Sequence, residues 1–290
     1  MLRLVIFTAS SLLVSVSSFS FDSARSYHGT PVSPPGTHDD DESSRRRLLG
    51  SIVAIASLVG TLPQASFATA ADEEEEDTIA VYFGCGCFWH VQHELVQAER
   101  RWVGRTTTPT ARAGYAGGRT TQSNACYHNA AQIADYGTLG HAEVVQVQIP
   151  PRVFPAFVAE YCQLFNEQGY RPDQFQDRGS EYRNLIGIPG GVKGPYAKQM
   201  VEASIQAGDK LDFARGNGND PDRRALVFVM DTQEFPFRVA EQYHQFHDGF
   251  NIGENYPSSY NNLARELARD GSLEKSDCPN GLLGLGALGL

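Results

Sequence analysis

Apolar and polar residues change rhythm several times along this 290-residue chain, and each rhythm predicts an element. Residues 142–149, Ala-Glu-Val-Val-Gln-Val-Gln-Ile, alternate so that Val145, Val147 and Ile149 share one face, the period of a half-buried strand. Residues 78–83 form a short apolar run that ends at Gly84 and Gly86, and predict a buried strand entering a turn. Beyond the turn, residues 87–101 continue as a helix. In 154–165, Phe154, Phe157, Val158, Tyr161 and Phe165 recur at helical spacing, with Pro155 in the first turn where it is tolerated. Residues 182–188 and 224–230 predict further strands, and 196–206, 238–247 and 259–269 further helices. The polar, Gly/Asn/Asp-rich stretch 208–222 predicts a surface connection. This mixture predicts a single α+β domain over residues 78–269, with a mixed sheet whose faces carry helices. Residues 270–290, with Cys278 and four glycines among leucines, predict a flexible tail.

The first quarter has a different character. Residues 4–16 form an apolar run after Arg3, the shape of a secretory signal core. A Ser/Pro/Asp-rich stretch follows, and then Arg45, Arg46 and Arg47 lead into a second apolar run that closes on Ala68-Thr69-Ala70, the twin-arginine and A-x-A shape of another export signal. Two signals in series resemble the bipartite presequences that carry proteins into the thylakoid lumen of a plastid. They predict removal of residues 1–71 and no stable membrane insertion afterwards. The alternative is one signal peptide followed by a membrane anchor, for which about a dozen apolar residues fall short of the ~20 of a span.

Charge and cysteines narrow the class. Arg3, Arg25, Arg45, Arg46 and Arg47 balance Asp22, Asp39, Asp40, Asp41 and Glu42, so the net charge of −10 belongs to the remaining 219 residues (290 − 71). A chain so acidic is not expected to bind nucleic acid. The acidic run 72–77 predicts a solvated leader. All five cysteines, Cys85, Cys87, Cys126, Cys162 and Cys278, lie after residue 71, and their odd number and irregular spacing argue for thiol chemistry rather than a disulfide scaffold.

The chemistry centres on Gly84-Cys85-Gly86-Cys87-Phe88-Trp89, which sets a thiol at a strand-to-helix turn with two large aromatics behind it. At the start of a helix, unpaired N–H groups and the dipole favour thiolate, so the Cys87 pKa is expected to fall. Three further clusters suit a thiolate. Gly114-Tyr115-Ala116-Gly117-Gly118 offers a tyrosine hydroxyl, Gly140-His141-Ala142-Glu143 a carboxylate at a strand entry, and Asp177-Arg178-Gly179-Ser180-Glu181-Tyr182-Arg183 a second tyrosine and another acid.

With these runs in order, and Ala240-Glu241-Gln242-Tyr243-His244-Gln245 after them, residues 80–256 resemble the A-type peptide methionine sulfoxide reductases. The resemblance implies a two-layer, plait-like fold and reduction of the S-epimer of methionine sulfoxide, free or in proteins. It implies that Cys87 attacks the sulfoxide sulfur, that Glu143 protonates the departing oxygen, and that Tyr115 and Tyr182 hydrogen-bond that oxygen. Asp177 would tune the site, and Phe88 and Trp89 would hold the S-methyl group. A sulfenic acid on Cys87 then needs a second thiol. Cys278 is expected to supply it, with a thioredoxin-like dithiol reducing the resulting disulfide. No organic cofactor enters this chemistry.

Some positions depart from the family. His90 stands in place of Gly, Glu181 in place of Gln and Asn184 in place of Ser, so the wall around Tyr182 is expected to meet a different neighbour of the methionine. Cys85 is an alternative resolving thiol, though two cysteines one residue apart would close a strained ring. Cys126 and Cys162 are expected to be buried and inert, and Glu241, Tyr243 and His244 to pack beneath the site. A metal reading of Cys85, Cys87, His90 and His93 is disfavoured, because Cys-x-Cys is tighter than the usual zinc spacing. The competing function is a non-catalytic redox-sensing or metal-binding relative on the same scaffold, but such a protein needs only the thiols and not Glu143 and the tyrosines.

Overall fold

The computed structural model describes residues 77–249, 255–273 and 275–279. The export segment expected at 1–71, all but the last residue of the leader expected at 72–77, and residues 274 and 280–290 of the tail lie outside these. Among the described residues, seven strands form one sheet: β1 (Ile79–Gly84), β2 (Arg112–Ala116), β3 (Ala142–Ile149), β4 (Leu185–Ile188), β5 (Asp212–Arg215), β6 (Leu226–Asp231) and β7 (Arg238–Val239). Their order is β5-β6-β4-β1-β3-β2-β7. β6 runs parallel to β4 and β5, and the other pairs are antiparallel, so the sheet is mixed as expected. Four helices accompany it: α1 (Phe88–Trp102), α2 (Phe154–Gln163), α3 (Ala197–Gln206) and α4 (Ser258–Asp270). None is long and apolar enough to cross a membrane.

The alternation read in β3 places the core. Val145 and Val147 pair with Phe83 and Val81 of β1 and join the principal hydrophobic cluster, to which all four helices contribute. The intervening Ala142 and Val144 face the other side, where Tyr82, Leu185, Phe228, Met230 and Phe235 form a smaller cluster without any helix residue. The helices therefore gather on one face of the sheet rather than on both. Each fully buried side chain of this kind contributes roughly 1.5–3 kcal/mol by leaving water.

Two expectations fail in instructive ways. Residues 238–247 are not a helix but the short edge strand β7 followed by a 3-10 turn, Gln242–His244. The cause is the buried Gln245, whose Nε2–H donates to the Ala113 carbonyl at 2.9 Å and whose Oε1 accepts the Ala113 N–H at 2.9 Å, while the Ala240 N–H donates to that same carbonyl at 3.0 Å. These bonds to β2 replace helical ones. The stretch 208–222, expected to be connection throughout, contains edge strand β5, whose end residues are exposed.

Candidate active site

β1 delivers the chain to the nucleophile turn, and three successive backbone N–H groups there are taken up by three different segments. Gly86 N–H donates to the Tyr182 carbonyl at 3.0 Å. Cys87 N–H donates to Gln174 Oε1 at 2.8 Å, and Phe88 N–H donates to Glu143 Oε2 at 2.9 Å. Gly86 has φ +88°, a conformation open to glycine. Cys87 is the N-cap of α1 and is 8% exposed. The turn's amides being spent, hydrogen-bond donors for a substrate oxygen must come from side chains.

The expected fall in the Cys87 pKa is overturned. Burial raises the thiol well above its ordinary value and the Glu143 charge raises it further, against an opposite pull from the backbone N–H groups of Trp89 and His90. Desolvation of the thiolate outweighs the helix N-terminus. Glu143, on β3, is itself pushed up to about 8 by burial, although the Phe88 N–H and the Tyr136 hydroxyl, 3.3 Å from Oε1, favour its ionised form. A carboxyl of this kind carries its proton at neutral pH.

The tyrosines are arranged differently from the expectation. Tyr115 lies directly opposite Glu143 across β2 and β3, but its hydroxyl donates to Glu241 Oε2 at 2.9 Å and its ring stacks on Tyr136 at 4.5 Å, so it packs beneath the site rather than offering its hydroxyl to substrate. Tyr127 shares the same Glu241 carboxylate. It is half-buried, burial and the charges of Glu143 and Cys87 push its phenol up to about 12, and its N–H is fixed on Glu241 Oε1 at 2.8 Å. Tyr182 has its pKa raised by burial and by Glu143, Tyr127, Asp177 and Cys87. Half-buried Asp177 is raised by burial against the pull of Arg171, and its charge acts on both Cys87 and Glu143.

Phe88 is buried in the floor, 4.9 Å from the His244 ring. Trp89 is half-buried, stacks on His247 at 3.9 Å, and donates its indole N–H to His244 Nδ1 at 3.2 Å. Burial pushes His244 down to about 3, so it stays neutral and keeps that acceptor free of a proton. Glu241 and His244 thus support the site from below, as expected. Asn184 is buried and donates to the Arg223 and Leu226 carbonyls, so it holds β6 and forms no part of the substrate wall. Glu181, half-buried, pairs with His128 at 3.3 Å.

One cysteine expectation needs correction. Cys126 is not inert: it forms a disulfide with Cys278, the cysteine expected to resolve Cys87. Its sulfurs lie beside the Glu241 carboxylate that holds Tyr115 and Tyr127. Both sulfurs are spent on each other, which leaves that cluster one carboxylate for a metal. Cys85 is 1% exposed, and burial raises it to about 12. Cys162 is buried beside Ser204, as expected. A cavity of about 500 Å³ between α4 and residues 242–248, lined by Tyr243, Phe246, His247 and Ala264 among others, shares neither Cys87 nor Glu143.

The family model described as "Peptide methionine sulfoxide reductase" matches residues 79–276. The chain belongs to this family. Among curated peptide methionine sulfoxide reductases of A type, the protein of Bacillus subtilis is 32% identical over 174 residues, covering 59% of this chain and 82% of its own length. That of Ligilactobacillus salivarius is 27% identical over 172 residues, covering 56% and 80%. Methionine sulfoxide reductase A of Corynebacterium diphtheriae, a solved structure, is 21% identical with a TM-score of 0.37, covering 62% of this chain and 84% of that one. Within this peptide methionine sulfoxide reductase, Tyr127 lies close enough to feel the charges of Glu143 and Cys87, a position the sequence motifs did not point to. Its signal was an aromatic pair, Tyr127-His128, in an otherwise small and polar loop.

Proposed function

We propose that this reductase returns the S-epimer of methionine sulfoxide, free or in proteins, to methionine. The observation that carries the reading is the pairing of Cys87 with a protonated Glu143 whose carboxylate oxygen is held 2.9 Å from the adjoining Phe88 N–H. The Cys87 thiolate attacks the sulfoxide sulfur and Glu143 gives its proton to the oxygen. The S–O bond breaks as the oxygen passes to Cys87, leaving a sulfenic acid and the sulfide: thiolate, proton and sulfoxide become sulfenic acid and methionine. Tyr127 and Tyr182 donate to the oxygen while it carries charge. Trp89 and the buried Phe88 offer the S-methyl group an apolar wall.

Resolution runs through the Cys126–Cys278 pair. Cys126 is locked by its neighbours, with its N–H on Ala134 and its carbonyl accepting from Tyr136, so it cannot swing. Cys278 lies five residues beyond Leu273, a buried anchor, and five residues span at most about 17 Å. Its thiol attacks the sulfenic acid and releases water; Cys126 then displaces Cys87, and a thioredoxin-like dithiol reduces the Cys126–Cys278 disulfide.

The test uses a peptide carrying separately prepared S- and R-sulfoxides. S-selective turnover, lost in Cys87→Ser, is expected; turnover of the R-epimer alone, or of neither by folded reduced protein, overturns the reading. The paired signals in residues 1–71 support delivery to a thylakoid lumen. A fluorescent fusion of that segment checks this, and retention in the secretory pathway or at a membrane refutes it.

A further inference from the structure

The backbone N–H of the nucleophile is held by a buried side chain from another loop. Gln174 ends a short 3-10 turn, Pro172–Gln174, whose start is tied down through Arg171. The Gln174 N–H donates to the Arg171 carbonyl at 3.1 Å; the Arg171 guanidinium donates to the carbonyls of Tyr182 and Asp177 and pairs with Asp222. Gln174 and Arg171 are both almost fully buried. From this base the Gln174 side chain reaches across to accept the Cys87 N–H at 2.8 Å. A second observation is independent of that bond: a Cβ on Gly86 would lie 2.9 Å from both Cβ and Oε1 of Gln174, so the turn is shaped around this side chain.

We propose that Gln174 is the positioning residue for Cys87. The Gly86–Cys87 peptide can present its N–H to Gln174 only in one orientation, and that orientation turns the Cys87 sulfur toward the backbone N–H groups of Trp89 and His90. Without the acceptor, the buried N–H has no partner and the peptide is free to rotate, taking the sulfur away from Glu143. Gln174 also joins the turn to the loop that carries Asp177 and Tyr182, so nucleophile and oxygen-binding groups share one frame.

The inference rests on the reductase reading, and the experiment separates the two. In the full-length protein reduced with dithiothreitol, Gln174→Met keeps the shape and removes the acceptor, whereas Gln174→Glu keeps an acceptor oxygen. Two quantities are read: single-turnover formation of methionine, and the rate at which iodoacetamide labels Cys87, mapped by mass spectrometry. Gln174→Met is expected to lose 10- to 100-fold in both, with KM within about twofold. Gln174→Glu is expected to recover most of the loss when rates are compared at equal thiolate fraction from the pH profile of labelling, since the new carboxylate raises the thiol as Glu143 does. If Gln174→Met does not fold, Gln174→Asn, whose acceptor falls short by one methylene, takes its place. Unchanged Cys87 labelling in a folded Met or Asn variant overturns the proposal, and so does an equal loss in Gln174→Glu. Labelling reads the sulfur whether or not turnover occurs, so a failure of the reductase reading shows instead as absent methionine formation in the unsubstituted protein.

Discussion

Replacing Glu143 by Gln separates the two proton requirements of the site. The carboxyl is raised to about 8, so roughly nine-tenths of it is protonated at pH 7 and roughly one-tenth at pH 9. The thiol is raised well above its own ordinary value, with Glu143 as the second cause after burial. Below pH 8 the acid is in its working form and the thiolate fraction rises tenfold per unit, so kcat/KM is expected to climb with slope one. Above pH 8 each tenfold gain in thiolate is cancelled by a tenfold loss of acid, and the profile flattens. In Glu143→Gln the amide cannot lose a proton, and the slope of one continues through pH 8, from a rate at pH 7 lower by about 10²- to 10⁴-fold, the usual worth of a general acid. The measurement is kcat/KM for an S-sulfoxide peptide between pH 6 and 9.5, supported by single turnovers. The bend is a property of the coupled thiol–carboxyl pair. A bend near pH 8 that survives in Glu143→Gln would refute the assignment of the acid.

Three further outcomes follow from the geometry. Tyr127→Phe is expected to lower kcat/KM about tenfold with little change in stability, whereas Tyr115→Phe leaves Glu241 short of a donor and lowers stability by about 1–2 kcal/mol with little effect on the reductase step; thermal unfolding beside kinetics distinguishes them. Cys126→Ser should form methionine normally with dithiothreitol and lose thioredoxin-dependent turnover, and non-reducing peptide mapping should find Cys278 joined to Cys87. Because the folded pKa of Glu143 lies above the unfolded one, the stability it contributes is complete below about pH 4.5 and is lost as pH rises through about 8; Glu143→Gln should flatten the denaturation midpoint over that window, and an unchanged profile would count against the buried proton.

The sequence was readable where local pattern and tertiary setting agree. The alternation of β3 and the helical spacing of α2 each report a single buried face, and the glycines before Cys87 announce its turn. β2 was illegible as a strand because its backbone approaches β7 too closely for large side chains: a Cβ on Gly114 would lie 2.2 Å from the Arg238 carbonyl oxygen, so β-branched residues are excluded. β5 is a short edge strand with exposed ends and therefore carries the composition of a loop. The preference for Tyr115 over Tyr127 had a similar origin, since glycines mark a turn but do not say which way a hydroxyl points once the strand is paired. The partner of Cys126 lies 152 residues away, a separation at which spacing holds no information.

The parity of β3 has a consequence for how this chemistry can be changed. Glu143 stands in the same row as Val145, Val147 and Ile149, and its immediate neighbours Ala142 and Val144 belong to the opposite row. Glu143 is therefore an odd number in a two-state code. One residue inserted between Glu143 and Val145 would send the carboxyl to the side away from α1, whereas two inserted residues would restore it at the cost of lengthening the strand. Loops around the mouth can vary in length and leave the acid in place; the strand beneath it admits change only in pairs.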